Sequence, residues 1–404
     1  MTKYIICLGD GMADHPIQSL NNQTTLEYAN TPNMDYIASQ GEIGMVHTVP
    51  QGFSPGSDVA NMGILGYDPA LYYTGRGPIE AASLKVACGD NETIFRCNLV
   101  TIENEKMIDF TSEHISNEES FLIIEALNKA FNKKGIRFIH GVGYRHIMVM
   151  EGVYDTLSST APHDITDKAI DSFIPKGDGE AIVAQVVAEA RELLKESEVN
   201  KKRIAEGKRP ASDIWPWSQG KYPKLPAFKD SYGLTGGIVT AVDLLKGLAV
   251  LTGLEAPDVK GATGFMDTDY NAKVQATFDI LKQHDFCYLH IEAPDETGHM
   301  GRPDLKVTAI EDFDTHVVGK ILEYQQKNPD TVVMVLPDHP TPCDIRTHTH
   351  EPVPYCLYYA GCDSKTAAHY TENEAKKSGI ELQSPWALLT HFLSQKPVLQ
   401  AVHE

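Results

Sequence analysis

Long apolar runs are missing from this 404-residue chain. No stretch approaches the ~18 consecutive apolar residues that a membrane-crossing helix needs, so no membrane partner is expected. Cationic charge is also scarce. Lys and Arg total 35 against 55 Asp and Glu, a formal charge of −20. Such a surface repels phosphodiester backbones and anionic lipid, which argues against nucleic-acid or membrane partners. Cysteine is sparse too: the seven are odd in number and form no C-x-x-C pair. That pattern points to buried, reduced thiols. The opening MTKYIICLGDG lacks the basic region and long apolar run of a secretory signal, so a cytoplasmic location is expected. Internal repeats, low-complexity tracts and long charge blocks are absent. What remains is a chain too long for one simple core, which implies two domains or one large domain carrying an insertion. The acidic balance also sets a condition: an anionic substrate would need a locally cationic site.

Hydrophobic patterning divides the chain into two textures. Residues 4–8 form a short apolar run that stops at Gly9-Asp10-Gly11, the pattern of a buried strand entering a tight turn. Thr31-Pro32 opens a helix, with threonine as cap and proline in the first turn, and Gly41 closes it. A strand is expected at 44–49 and a helix at 58–65, after the loop GFSPGS. Between about 77 and 175 the texture changes. Strand-like runs at 94–100, 106–110, 136–140 and 144–150 surround one helix at 117–133, the content of an α+β module. A long helix at 179–195 and segments rich in tryptophan and proline follow. Beyond them, helices are expected at 238–248, 271–284 and 303–326, and strands at 286–291, 331–336 and 354–359. This alternation predicts an α/β fold with a mostly parallel sheet sandwiched by helices. The expected core comprises residues 1–76 and 176–404, with a smaller inserted α+β domain at 77–175.

Three expected strand ends carry the same chemistry. Asp10 follows the first strand, Asp295 lies in HIEAPDETGHMG after the strand at 286–291, and Asp338-His339 follows the strand at 331–336. Carboxyl ends of strands in an open parallel sheet share one edge, where ligands bind. Asp10, Asp295, His299, Asp338, His339 and His348 can therefore converge. Packed carboxylates repel one another, and divalent cations remove that cost. Mixed Asp and His donors suit Mn²⁺ or Zn²⁺ better than Ca²⁺, and the donors are numerous enough for two ions. Each piece also has a plain structural reading: Asp10 as a turn residue, Asp295 as a helix cap, His350 as a supporting or surface group. Ser57 stands at a loop-to-helix junction, where serine is an ordinary N-cap. The same place offers free N–H groups to a phosphoryl group, and a cation would activate the hydroxyl. Two dications would balance three carboxylates and a serine alkoxide.

GDGMAD, GSDVANMGILGY, TGRGPIEAASL, FRCN, GYRH, PHDI, GATGF-x-DT, APDETGH and PDH-x-TPC-x₄-HTHEPVP occur in this order. The set strongly resembles the archaeal-type cofactor-independent (2,3-bisphosphoglycerate-independent) phosphoglycerate mutases, in the alkaline phosphatase superfamily, over nearly the whole chain. The Asp, Ser and Asp-His set is common to that superfamily, whereas TGRGPIEAASL and FRCN are specific to the mutases. The resemblance implies an alkaline-phosphatase-like core interrupted by a second domain that acts as a lid, two divalent ions and a phosphoserine intermediate. It implies Ser57 as nucleophile, with Asp10, Ser57, Asp338 and His339 on one ion and Asp295, His299 and His348 on the other. His348 is preferred to His350 because it stands three residues before Glu351 of the EPVP segment. Mn²⁺ is the expected ion, with Zn²⁺, Mg²⁺ or Co²⁺ as alternatives and no 2,3-bisphosphoglycerate. Arg76, Arg96, Arg145, His163 and Asp164 are the implied substrate contacts, and Arg302 and Lys273 are weaker candidates. The implied reaction interconverts 3-phosphoglycerate and 2-phosphoglycerate, a step of glycolysis and gluconeogenesis. A metal-dependent phosphomonoesterase or another phosphotransferase of the superfamily is the alternative. One departure is Pro340, where a small hydroxyl residue often follows Asp-His.

Overall fold

The computed structural model describes residues 2–154, 156–362, 364 and 367–398. Among the described residues twelve strands occur in chain order: β1 Lys3–Gly9, β2 Glu42–Val46, β3 Glu92–Glu103, β4 Lys106–Asp109, β5 Ile136–Val142, β6 Arg145–Glu151, β7 Asp213–Gly220, β8 Gly236–Val239, β9 Phe286–Ile291, β10 Thr331–Leu336, β11 Val353–Tyr358 and β12 Glu381–Leu382. They fall into two compact units. One comprises Met1–Tyr73 and Lys224–Glu404, the other Thr74–Pro223.

The first unit is built on a seven-stranded sheet in the order β12-β2-β11-β10-β1-β9-β8. Only β11 runs against the rest; β1 is parallel to both β9 and β10. A parallel sheet must be covered on both faces, and β1 shows how the sequence meets that demand. Ile5 and Cys7 enter one core with Met34 and Ile37 of the helix Pro32–Gln40 and with Val274 of the helix Tyr270–Leu281. Their neighbours turn to the opposite face. There Tyr4 meets Phe392 edge-on, with ring centroids 5.5 Å apart, and Phe286 stacks on Phe228 at 4.7 Å. No helix among the described residues is long and apolar enough to cross a membrane.

The second unit is an antiparallel sheet, β4-β3-β6-β5, with β7 added along β3. It extends past the expected limit of 175. The helix Glu180–Lys195 sends Val183, Val186, Ala190 and Leu194 into the same core as Phe95, Leu99 and Ile124. Then β7 pairs with β3, placing Pro216 opposite Cys97. Pro216 disguised this strand in the sequence. Among the described residues β7 pairs only with β3, and an edge strand tolerates a missing N–H donor.

Two further expectations change. Ile238 and Val239 belong to β8 rather than to a helix, which starts at Asp243, because β-branched residues fit the pleated surface beside β9. Thr31 sits at the N-cap of Pro32–Gln40 but makes no capping bond. Asp314 caps this helix from another helix. Its carboxylate accepts the N–H groups of Asn33 (3.2 Å) and Met34 (2.7 Å) and the Asn33 amide (2.8 Å). Asp314 opens a π-helical turn, Asp314–Val318, between Pro303–Phe313 and Gly319–Lys327. Such turns displace a side chain from the regular helical position. Asp314→Ala is expected to lower stability by about 2 kcal/mol in denaturant melts, because it leaves buried N–H groups unpaired.

At one end of the sheet Glu42 accepts hydrogen bonds from Tyr355 (2.8 Å) and from His391 (2.9 Å), the latter on the helix Pro385–Ser394. Burial alone would raise the Glu42 carboxyl, but these bonds hold it below the ordinary carboxylate value. The bond to Glu42 raises His391 above the ordinary imidazole value, against partial burial. The carboxylate's contribution is therefore lost as pH falls through its depressed value. The imidazole's is lost as pH rises through its raised value. The difference in Tm between the protein and its His391→Gln variant should peak between those limits and shrink on either side.

Candidate active site

Parallel register brings the strand ends together. Leu8 of β1 pairs with Leu336 of β10, and Gly9 pairs with Ile291 of β9. Asp10, Asp338 and the short helix Ala293–His299 therefore leave the sheet at one level. Asp10, Asp338 and His339, all buried, form one group whose ligand-type atoms lie within 4.8 Å of one another. Asp295, His339 and His348 form a second such group. His299 belongs beside the second, with its Nε2 3.1 Å from Asp295 and 3.0 Å from His348 Nε2. His339 borders both groups.

Ser57 is the first residue of the helix Ser57–Ile64, and its hydroxyl lies 3.1 Å from His339 Nε2. The capping position is held by Gly56, so Ser57 is not the N-cap. Its side chain is directed at the histidine instead. His350 lies apart from the cluster, bonded to the Phe53 carbonyl at 2.9 Å, and Glu351 bonds His15 at 3.1 Å.

Electrostatics mark this edge as charged and dry. Burial, then the carboxylates of Asp338 and Asp295, push the Asp10 carboxyl far above its ordinary value. Asp295 is held far below the ordinary range: burial opposes ionisation, but His299 and His348 outweigh it. Desolvation opposes the charge on half-buried His299, yet Asp295 raises it to about 9. Burial lowers His339 to about 4, leaving a neutral ring with a lone pair to offer.

Several supporting groups received no individual role from the sequence, because each becomes meaningful only through a distant partner. His290 Nε2 lies 2.9 Å from Asp10 Oδ2. Asn61 donates to Asp338 Oδ2 (2.8 Å) and to the Ser57 carbonyl (2.8 Å), while Tyr288 donates to its amide oxygen. Gly11 N–H and the His339 N–H serve Asp338 Oδ1 at 3.1 and 3.0 Å. The fully buried Lys306 ties Asp14 (2.9 Å) to the carbonyls of Ala13 (3.0 Å) and Thr341 (2.9 Å). Pro340 bridges to Met12 and Ala13, and the next residue, Thr341, supplies a hydroxyl to Asp295.

The second unit gathers the other expected residues. Glu80 binds Arg76 Nε at 2.7 Å and lies 2.9 Å from Arg96 Nε, although that N–H is not aligned on the oxygen. Burial would raise Glu80, but Arg96, Arg76 and Arg145 hold it below the ordinary carboxylate value. Arg96 packs 4.8 Å over the Trp217 ring, and burial lowers it to about 10. His163 meets Trp217 at 5.5 Å and Phe110 at 6.0 Å, and Arg145 lies over Tyr144 at 5.6 Å. Asp164 is exposed beside His163, at 3.7 Å. The weaker candidates stand elsewhere. Arg302 makes a bidentate pair with Asp304 (2.9 and 2.6 Å) in an exposed position. Lys273 is buried against the carbonyls of Thr263 and His290, where desolvation lowers it to about 8.

A family model described as 2,3-bisphosphoglycerate-independent phosphoglycerate mutase matches residues 38–200. A relative of that name from Methanosarcina acetivorans is 44% identical over 379 residues, 93% of this chain and 96% of the relative. The chain belongs to the 2,3-bisphosphoglycerate-independent phosphoglycerate mutase family. A "probable" mutase of this family from Geobacter sulfurreducens is 42% identical, covering 97% of this chain and all of the relative. Among solved structures, the PH0037 protein from Pyrococcus horikoshii aligns with TM-score 0.82 and 29% identity over 99% of both chains. The cofactor-independent phosphoglycerate mutase from Thermoplasma acidophilum aligns with TM-score 0.64 and 26% identity over 97% of this chain and 99% of that one.

The donors fit divalent cations. Asp10 Oδ1 is buried without a hydrogen-bond partner, and the cluster offers only carboxylate, imidazole and hydroxyl groups. Metal-free Asp10→Asn protein is therefore expected to melt above the metal-free wild type, by on the order of 1 kcal/mol of relieved repulsion. It should also gain less stability from added Mn²⁺, read as the shift in Tm with metal concentration.

Proposed function

We propose that this family member interconverts 3-phosphoglycerate and 2-phosphoglycerate without 2,3-bisphosphoglycerate, through a phosphoserine on Ser57. The observation that carries the covalent step is the Ser57 hydroxyl, 3.1 Å from His339 at the head of a helix. N–H groups at that helix end favour an incoming phosphoryl group.

Asp10, Ser57, Asp338 and His339 would hold one divalent ion, and Asp295, His299 and His348 the other, with Mn²⁺ favoured by this donor mix. When bound, the ions supply charge neutralisation and acidify the serine hydroxyl. In the first half-reaction the Ser57 oxygen forms a bond to phosphorus while the bond from phosphorus to the C3 oxygen of the substrate breaks. The proton lost by Ser57 is balanced by the one gained at the glycerate C3 hydroxyl. In the second, the C2 hydroxyl of glycerate takes the phosphoryl group, and a proton returns to Ser57. Asn61 and Tyr288 keep the serine backbone and Asp338 in register. We assign Arg76, Arg96 and Arg145, with His163 and Asp164, to the substrate's carboxylate and phosphate, since planar guanidinium groups bind both in bidentate fashion. A cytoplasmic location accords with this glycolytic step.

Ser57→Ala should lower turnover by roughly 10⁴-fold or more while leaving Tm nearly unchanged. Chelation should abolish activity and Mn²⁺ restore it. Phosphorus NMR of 3-phosphoglycerate incubations should show 2-phosphoglycerate with little free phosphate. Free phosphate as the main product would replace the mutase reading with a phosphomonoesterase.

A further inference from the structure

The two acidic groups at the sheet edge are joined by one hydroxyl. Thr341 is fully buried. Its Oγ1 lies 2.5 Å from Asp295 Oδ1 and 3.3 Å from His339 Nδ1. These contacts have only one consistent direction. Asp295 is flanked by the ring nitrogens of His299 (3.1 Å) and His348 (3.5 Å), which places its oxygens as acceptors, so the single Thr341 proton is directed at Asp295. The threonine oxygen then has only lone pairs to offer the imidazole. His339 Nδ1 must therefore carry the ring proton and donate it to Thr341. The other nitrogen, Nε2, is left with its lone pair facing Ser57 (3.1 Å), Asp338 (3.4 Å) and Asp10 (3.7 Å).

We propose that Thr341 is a positioning residue that sets the tautomer of His339 and so commits this histidine to the Asp10–Asp338 group. His339 borders both groups by distance alone. With Nδ1 protonated, only Nε2 can serve as a donor atom, and Nε2 faces Asp10, Asp338 and Ser57. The partner of one ring nitrogen commonly decides what the other can do. The same hydroxyl fixes the rotation of Asp295, whose other oxygen lies 3.1 Å from His299. One side chain thereby orients a donor in each group. Its own position is fixed from behind: its carbonyl accepts from Lys306 (2.9 Å), and its N–H donates to the Ala13 carbonyl (3.1 Å).

Glycine accommodates this placement. A Cβ on Gly11 would fall 2.5 Å from Thr341 Oγ1 and 2.6 Å from Asp295 Oδ1, and Gly11 has φ +62°. A Cβ on Gly298 would fall 2.6 Å from the Thr341 carbonyl oxygen. Any larger residue at either position would push the threonine off its line between the carboxylate and the ring.

The inference rests on the proposed roles of Ser57 and the paired groups, but it can fail separately from them. The decisive measurement is the ¹⁵N spectrum of metal-free, histidine-labelled protein at neutral pH, with His339 assigned by its loss in His339→Gln. The Nδ1–H tautomer is expected, and an Nε2–H tautomer would overturn the proposal whatever the enzyme's activity. The isosteric Thr341→Val should lose the tautomer preference and bind Mn²⁺ at least 10-fold more weakly by calorimetry, and Thr341→Ser should restore both. Unchanged tautomer and affinity in Thr341→Val would also overturn it. If Thr341→Val does not fold, the wild-type spectrum and the Thr341→Ser titration still decide the matter. Failure of Ser57→Ala to lower activity, beside an Nδ1–H signal, would instead reject the covalent reading and leave the tautomer assignment standing.

Discussion

Three carboxylates, Asp10, Asp295 and Asp338, are buried side by side at one edge of the parallel sheet, and the rest of the site is arranged around their mutual repulsion. Charge in a dry place must be paired, hydrogen-bonded or neutralised. Asp338 receives two backbone N–H groups and the Asn61 amide, and Asp295 receives a threonine hydroxyl and two imidazoles. Asp10 receives only His290 on one oxygen, and its other oxygen is unserved. The deficit is therefore localised, and it lies on the side facing Asp338 and His339. A cation is the ligand that such a deficit selects.

The sheet makes this arrangement possible. In the order β10-β1-β9 three adjacent strands are parallel, so their carboxyl ends open on the same side. β9 and β10 are buried along their whole length and β1 from Tyr4 onward, and each chain segment turns at the edge into a loop or short helix bearing an acid. Buried polar anchors hold those loops. Lys306 with Asp14 pins the segments after β1 and β10 to each other, and Asn61 with Tyr288 ties the serine helix to β9. Breaking one partner of such a buried set is costly, which makes the edge rigid.

The second unit concentrates cationic side chains within an acidic chain. In a chain with formal charge −20, Arg76, Arg96 and Arg145 gather around the single carboxylate of Glu80. Trp217, Tyr144 and Phe110 pack against Arg96, Arg145 and His163 there. Net cationic character at one aromatic-walled place, within an acidic protein, suits a small substrate bearing carboxylate and phosphate.

Much of the fold and site was legible in order along the chain. Apolar runs that stop at an acid marked the strand ends at Asp10 and Asp338, and helix-strand alternation announced the parallel sheet. Motif order carried the family and singled out Ser57 and His348, which the fold brings beside His339 and Asp295. What stayed hidden depended on partners far away in the chain. Pro216 concealed β7 because an edge position excuses a missing donor only once the neighbouring strand is known. Thr31 read as a cap, but Asp314, some 280 residues away, performs that task. Thr341, Asn61 and Tyr288 received no role from the sequence, since one hydroxyl or amide has no local periodicity. Sequence alone thus determined which chemical groups exist and that they can meet at one edge, because periodicity and turn residues act over a few neighbours. Only the tertiary structure decided which oxygen each donor serves and which nitrogen of His339 faces Ser57, because hydrogen-bond direction depends on distances between segments that chain order does not encode.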